Sequence, residues 1–300
     1  MKMMSDIAIN AIELVKNYGS VPALRGVNLE VKKGEIFGFL GPNGAGKTTA
    51  IRCMLDLIRP NRGTLRVLNL NPQKDSVSVR ARTGYLPGEL AFEGNMTVEN
   101  GLRYLASLRG NNTDWNFVRR VAVRLDLDLK PQFKNLSKGN KQKVGVIQAL
   151  MHCPELLLLD EPTSGLDPFM QQEVLKLVRE ARDAGATVFF SSHILSEVQE
   201  IAERVGIIRK GLVVETAEVQ NLIQKSLRRL KVTFAAPIES QALYGIPGVS
   251  ILSQDQASAS LQVEGEMDAL IKTLANFPVR DLETERPSLE EIFMTYYEEN

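Results

Sequence analysis

Residues 41–49 read Gly41-Pro42-Asn43-Gly44-Ala45-Gly46-Lys47-Thr48-Thr49, and the first eight fit the spacing G-x-x-x-x-G-K-[ST]. Glycines at these positions let backbone N–H groups wrap a phosphate without Cβ clashes, and a following helix adds the partial positive charge of its N-terminus. Lys47 can reach the outer phosphates of a nucleotide, and the Thr48 hydroxyl suits a Mg²⁺ ion that bridges phosphate oxygens. A second chemical cluster closes a run of four leucines at 156–159 with Asp160-Glu161. A carboxylate at the end of a buried strand can hold a metal through water, and its neighbour can polarise an attacking water. His152, ahead of Cys153-Pro154 at a helix end, reads as structural.

These groups need particular elements to hold them. The phosphate-type loop follows 36–40, apolar throughout as a strand covered on both faces would be. It precedes 48–58, which has Ile51, Met54, Leu55 and Ile58 on one helical face and ends before Pro60. Upstream, 7–14 alternates as a strand with one solvated face, and 27–31 with 36–40 reads as a hairpin-like pair about a Lys-Lys-Gly-Glu turn. Residues 97–154 change texture to helical spacing. Strand character returns at 155–162 and 186–192 around a helix over 168–184, with Asp167 as its N-cap and Pro168 at its first position. Strand, helix, strand implies parallel crossovers, so an α/β fold with a mainly parallel sheet is expected, with an antiparallel element on its N-terminal side.

Beyond a linking helix at 219–224, the order of segments spells βαββαβ: strands at 229–235, 249–254, 259–265 and 279–285, a short helix around Ser240, and a helix at 267–277. An amphipathic helix over 289–297 is expected to close the chain.

Of 300 residues, 36 are Lys or Arg and 36 Asp or Glu. This balance offers no global basic field for nucleic acid. Two cysteines without CxxC spacing exclude a disulfide framework and fit a reducing compartment. Neither a signal-peptide core nor an apolar run of bilayer length is present, so any role at a membrane is expected to go through a partner.

The loop alone leaves kinases, GTPases and motor-type ATPases open. The later segments narrow this, because the chain over about residues 5–215 resembles the ATP-binding subunit of an ABC transporter. Residues 41–48 match that family's Walker A, 159–161 its Walker B, Ser164 to Asp167 its D-loop, and His193 after FFSS its switch histidine. Residues 136–142, LSKGNKQ, resemble the LSGGQ signature. The GTPase alternative requires an NKxD base-reading motif, and NKQK at Asn140 lacks the Asp.

The resemblance implies an α/β P-loop NTPase cassette over 1–222, with a parallel core sheet, an antiparallel N-terminal β element and a helical subdomain inserted at about 90–154. A small α+β C-terminal domain of ferredoxin-like order would occupy 223–300. It further implies ATP and Mg²⁺ as ligands: the loop amides and Lys47 on the phosphates, Thr48 and Asp160 on the metal, Glu161 as base or water-orienter, and His193 on the γ-phosphate. Tyr18 matches the adenine-stacking position. By the same resemblance Ser137, Lys138, Gly139 and Asn140 serve a nucleotide held by the opposite subunit, and Asp167 adds a contact across that dimer.

Two departures stand out. Lys138 and Asn140 replace the family's Gly and Gln, yet both remain hydrogen-bond donors. Where the family has a Gln after GYLP, this chain has Gly88 and then Glu89, leaving Glu89 as the substitute candidate for the metal or water contact.

The implied function is an ATP-hydrolysing subunit that dimerises around two ATP molecules, with itself or a similar subunit, and drives a separate membrane permease. GYLPGEL, LSKGNKQKV and PSLEEIFMTYYEE resemble bacterial ABC-2-type exporters, which places the chain at the cytoplasmic face of the membrane. The alternative is an ABC ATPase free of any permease, acting on ribosomes or DNA. Those proteins carry two cassettes in one chain or a long coiled coil, and this sequence shows neither. Basicity is confined to 225–231, KSLRRLK, so no nucleic-acid partner is expected.

Overall fold

The computed structural model describes residues 6–90, 94–110, 113–221, 228–239, 243–263 and 266–285. They divide into two compact units, Met1–Ala217 and Glu218–Asn300.

In the first unit the site hangs on a six-stranded sheet of order β5-β6-β7-β3-β8-β9. Its strands are β5 (Thr83–Leu86), β6 (Leu156–Asp160), β7 (Thr187–Ser192), β3 (Ile36–Leu40), β8 (Arg204–Arg209) and β9 (Leu212–Glu218). Pairing is parallel from β5 through β8. β8 and β9 are joined by Lys210-Gly211, both at positive φ (47° and 78°) as a tight hairpin turn requires. Every residue of β3, β6 and β7 is buried. Phe37 stacks on Phe189 at 5.9 Å and Phe39 tilts against it at 5.2 Å, locking adjacent strands at the sheet's centre.

The hairpin expected between 27–31 and 36–40 does not form. A strand apolar on both faces gains most where both faces are covered, so β3 takes a central place between β7 and β8. The preceding strand, β2 (Val21–Lys32), pairs instead with β1 (Ile7–Tyr18) in a three-stranded antiparallel sheet of order β2-β1-β4. β4 (Arg62–Val67) follows two residues after Pro60. β1 runs past the expected residue 14, its alternation broken at Glu13 (φ 50°), where the register shifts.

α1 (Lys47–Met54) is shorter than the expected 48–58. Asp56 turns left-handed (φ 53°), Leu57 N–H donates to Arg52 C=O at 2.9 Å and Asp56 N–H to Cys53 C=O at 3.1 Å. This paired closure ends the helix before its apolar periodicity runs out. α2 (Ser76–Ala81) precedes β5. Among the described residues between β5 and β6 are three α-helices, α3 (Val98–Ser107), α4 (Trp115–Arg124) and α5 (Lys138–Leu150). α5 sits close on β5: a Cβ at Gly84 would collide with the Ala149 carbonyl oxygen. α6 (Pro168–Asp183) and α7 (Leu195–Ile201) flank β7 in sequence. The Asp167 carboxylate caps α6 through Phe169 and Met170 N–H, both at 3.1 Å.

The second unit holds an antiparallel sheet of order β11-β12-β10-β13: β10 (Arg228–Phe234), β11 (Val249–Asp255), β12 (Ser258–Val263) and β13 (Val279–Glu285). One helix, α8 (Asp268–Leu274), lies between β12 and β13 in sequence. The unit has its own core, in which Leu230, Val232, Phe234, Leu261, Leu270 and Leu274 are buried. Residues 219–221 are helical, while the rest of the expected linking helix, the helix around Ser240 and that over 289–297 lie outside the described residues.

Candidate active site

Three loops meet at the carboxyl ends of β3, β6 and β7, where an α/β sheet places its ligands. The first is the phosphate loop. Gly46, at φ 113°, precedes the first residue of α1, and a Cβ there would lie 2.7 Å from the Ala23 carbonyl oxygen of β2. Only glycine serves at a left-handed position so tightly approached. Gly41 N–H donates to Ser192 C=O (3.2 Å), Ala45 N–H to Pro42 C=O (3.1 Å) and Gly211 N–H to Ala45 C=O (2.9 Å). These bonds tie the loop to β7 and to the β8–β9 turn. Asn43 and Gly44 are exposed at its crest, and Thr49 is half-buried on α1.

Lys47 extends back under the loop, where its ammonium donates to Gly41 C=O at 2.7 Å and Pro42 C=O at 3.2 Å and lies 3.5 Å from Glu161 Oε1. With its side chain 5% exposed, burial pushes its pKa down, while Glu161 and then Asp160 pull it back up. Thr48 Oγ1 donates to Asp160 Oδ2 at 2.7 Å, and Ser191 Oγ donates to Asp160 Oδ1 at 2.6 Å. Asp160 is thus fully buried with both oxygens engaged.

Glu161 begins the next loop in a left-handed conformation, φ 51°. A non-glycine residue held there stores local strain, and its restraints are evident. Its N–H donates to Ser191 C=O and Oγ (3.2 and 3.1 Å), and Gln142 Nε2 donates to Glu161 C=O (2.9 Å) and Pro162 C=O (3.1 Å). The carboxylate so aimed meets His193 Nδ1 at 3.2 Å. Lys47, Thr48, Asp160, Glu161 and His193 therefore form one cluster at the mouth of the phosphate loop.

The signature residues lie apart from it. Ser137 caps α5 by accepting Asn140 N–H at 3.2 Å; Ser137 and Lys138 are exposed, while Gly139 and Asn140 are half-buried. Gly139 and Lys138 pack beside Gly165 in the loop leading to Asp167. Tyr18 stands half-exposed at the tip of the β1–β2 hairpin, with the Lys16 ammonium 5.4 Å from its ring centre. Glu89 is exposed, without a hydrogen bond or ion pair among the described residues. Its neighbour Gly88 approaches the metal-type carboxylate instead: a Cβ there would lie 3.3 Å from Asp160 Oδ2.

Three polar residues escaped the sequence reading: Ser191, Gln142 and Glu197. Ser191 carried a faint signal, as a hydroxyl in an apolar strand just before the histidine. Gln142, although it ends the 136–142 stretch, and Glu197 carried none for the bonds they make, because Glu161 lies 19 residues from Gln142 and Thr163 lies 34 from Glu197.

This fold and site define an ABC-type ATPase cassette. A family model described as ABC transporter matches residues 24–164, and one described as ATP-binding protein DrrA1-3-like, C-terminal domain, matches 216–297. The bacitracin transport ATP-binding protein BcrA of Enterococcus faecalis is 36% identical over 226 residues, covering 75% of this chain and 73% of the relative. The linearmycin resistance ATP-binding protein LnrL of Bacillus subtilis is 29% identical over 302 residues, covering 95% and 97%. Among solved structures, an ATP-binding subunit of an ABC transporter superposes with TM-score 0.66 at 27% identity, covering 72% of this chain and 91% of that one. A dimeric bacterial ABC transporter cassette gives 0.65 at 21%, covering 70% and 98%. The chain belongs to the ABC transporter ATP-binding proteins.

Proposed function

We propose that this ATPase is the motor subunit of an ABC exporter, closing as a dimer over two ATP molecules to drive a separate membrane permease. The observation that carries the reading is the convergence of Lys47, Thr48, Asp160, Glu161 and His193 beneath the phosphate loop. The outer phosphates of ATP take over the Lys47 donors from Gly41 C=O and Pro42 C=O. Glu161 orients the attacking water and accepts its proton, while His193 and Lys47 hold the γ-phosphate oxygens that gain charge. The Thr48 hydroxyl and Asp160 carboxylate are the hard oxygen donors that fit Mg²⁺. Bound there, that ion would neutralise the phosphate charge. Tyr18 stacks on adenine.

The exposed Ser137 and Lys138, with Lys138 beside Gly165, support a second subunit as the owner of the nucleotide they serve. No helix among the described residues is long and apolar enough to cross a membrane, which fits attachment through a permease at the cytoplasmic face. The relatives' names, bacitracin transport and linearmycin resistance, support export. In the second unit, the strand order supports a ferredoxin-like accessory domain.

The Glu161→Gln variant tests the reading. It should bind ATP like the wild type, hydrolyse it about 10²- to 10⁴-fold more slowly, elute as a dimer with ATP and Mg²⁺, and co-purify a polytopic membrane protein. Normal turnover overturns the role of Glu161, and recovery of ribosomal or DNA-bound proteins without a permease overturns the exporter reading.

A further inference from the structure

The two catalytic loops are joined beneath the site by one buried carboxylate. Glu197, in the first turn of α7, is 5% exposed. One of its oxygens accepts a short hydrogen bond from Thr163 Oγ1, two residues beyond Glu161. The other accepts from Ser192 Oγ at 2.6 Å, one residue before His193. Ser192 Oγ also accepts Ile194 N–H at 2.9 Å, so the same hydroxyl closes a small turn around the histidine. No ion-pair partner meets Glu197 among the described residues. A buried carboxylate satisfied only by neutral hydroxyls is costly, and here both hydroxyls sit on the loops whose functional side chains converge at 3.2 Å above.

We propose that Glu197 is a positioning residue for ATP hydrolysis, setting the His193–Glu161 spacing by clamping the Ser192 and Thr163 hydroxyls. It touches neither nucleotide nor water and acts through His193. The inference rests on the roles proposed above for Glu161 and His193. Because Glu197 accepts from both hydroxyls, an amide of the same shape cannot replace it: its NH₂ would have to donate where the carboxylate accepts, turning one hydroxyl and its loop. The phosphate loop and Lys47 are untouched by this change, so turnover should suffer while ATP affinity stays.

The test is a double-mutant cycle on the full chain, read as kcat, KM for ATP and nucleotide affinity. Glu197→Gln should lower kcat about tenfold, in line with other groups that orient a catalytic residue, and leave ATP affinity within about twofold. In a His193→Ala background the same substitution should change kcat less than about twofold, since its effect passes through the missing imidazole. Equal losses in both backgrounds would make Glu197 merely structural, and a wild-type kcat for Glu197→Gln would overturn the proposal. Should that variant fail to fold, Ser192→Ala, which frees only the histidine side of the clamp, carries the same two expectations. Wild-type protein and Glu161→Gln run alongside: an active wild type with an inert Glu161→Gln localises any failure to Glu197, whereas normal turnover by Glu161→Gln would remove the underlying site assignment.

Discussion

At Lys47 two opposed effects meet. Burial disfavours the ammonium, and two carbonyls with the carboxylates of Glu161 and Asp160 restore it. A cation held in this way needs little rearrangement to receive an anionic phosphate. Lys47→Ala should therefore weaken ATP binding by more than about tenfold, measurable with a fluorescent nucleotide, and unchanged affinity would count against the loop's assignment. His152 gives a residue-scale prediction of a different kind. It faces Thr113 Oγ1 at 3.4 Å, and burial, then the nearby Arg109, push its pKa down to about 4. The native state thus holds it neutral while the unfolded chain protonates near 6.5. Its contribution to stability is full above pH 6.5 and is lost as pH falls from 6.5 towards 4. His152→Gln should flatten that part of the melting-temperature profile, and an unchanged slope would assign the acid sensitivity to other groups.

Helix α5 is the element that joins two functions. Its first residues, Ser137 to Asn140, form the signature, and one turn further Gln142 reaches the backbone of Glu161 and Pro162. The face a partner subunit would read is therefore tied through one buried amide to the loop that aims the Glu161 carboxylate. Gln142→Leu should leave the Pro162 carbonyl unpaired at a cost of about 1–3 kcal/mol. Expected readouts are a melting temperature lower by several degrees and a kcat reduced more than ATP affinity. A loss of stability with catalysis intact would show that Glu161 keeps its geometry without the tether.

On the scale of the molecule, the division after Ala217 separates two hydrophobic cores. Every side chain of the phosphate cluster lies in the first unit. A chain ending after Asn221, which retains β9, is expected to fold and bind ATP with unchanged affinity, as judged by circular dichroism and nucleotide titration. Loss of binding would mean that the second unit supports the nucleotide site. Dimerisation supplies a further check, because Ser137→Glu placed against a phosphate should abolish the ATP-dependent dimer of Glu161→Gln without changing monomer stability.

What the sequence determined by itself was local chemistry. Glycine spacing, a lysine at a helix start, an acid pair after four leucines and a histidine after a buried strand are recognisable because each motif's backbone geometry is set within a few residues of itself. The tertiary structure decided which strands became neighbours and which polar side chains hold Asp160 and Glu161. β3 abandoned the nearby β2 for β7 and β8 because covering both apolar faces outweighs a short connection. The length of α1 was settled by left-handed Asp56, a closure that hydrophobic periodicity does not encode. Ser191, Gln142 and Glu197 gained their roles only when segments far apart in the chain packed together, since a buried hydrogen bond depends on where its partner lies in space rather than on the residue type alone.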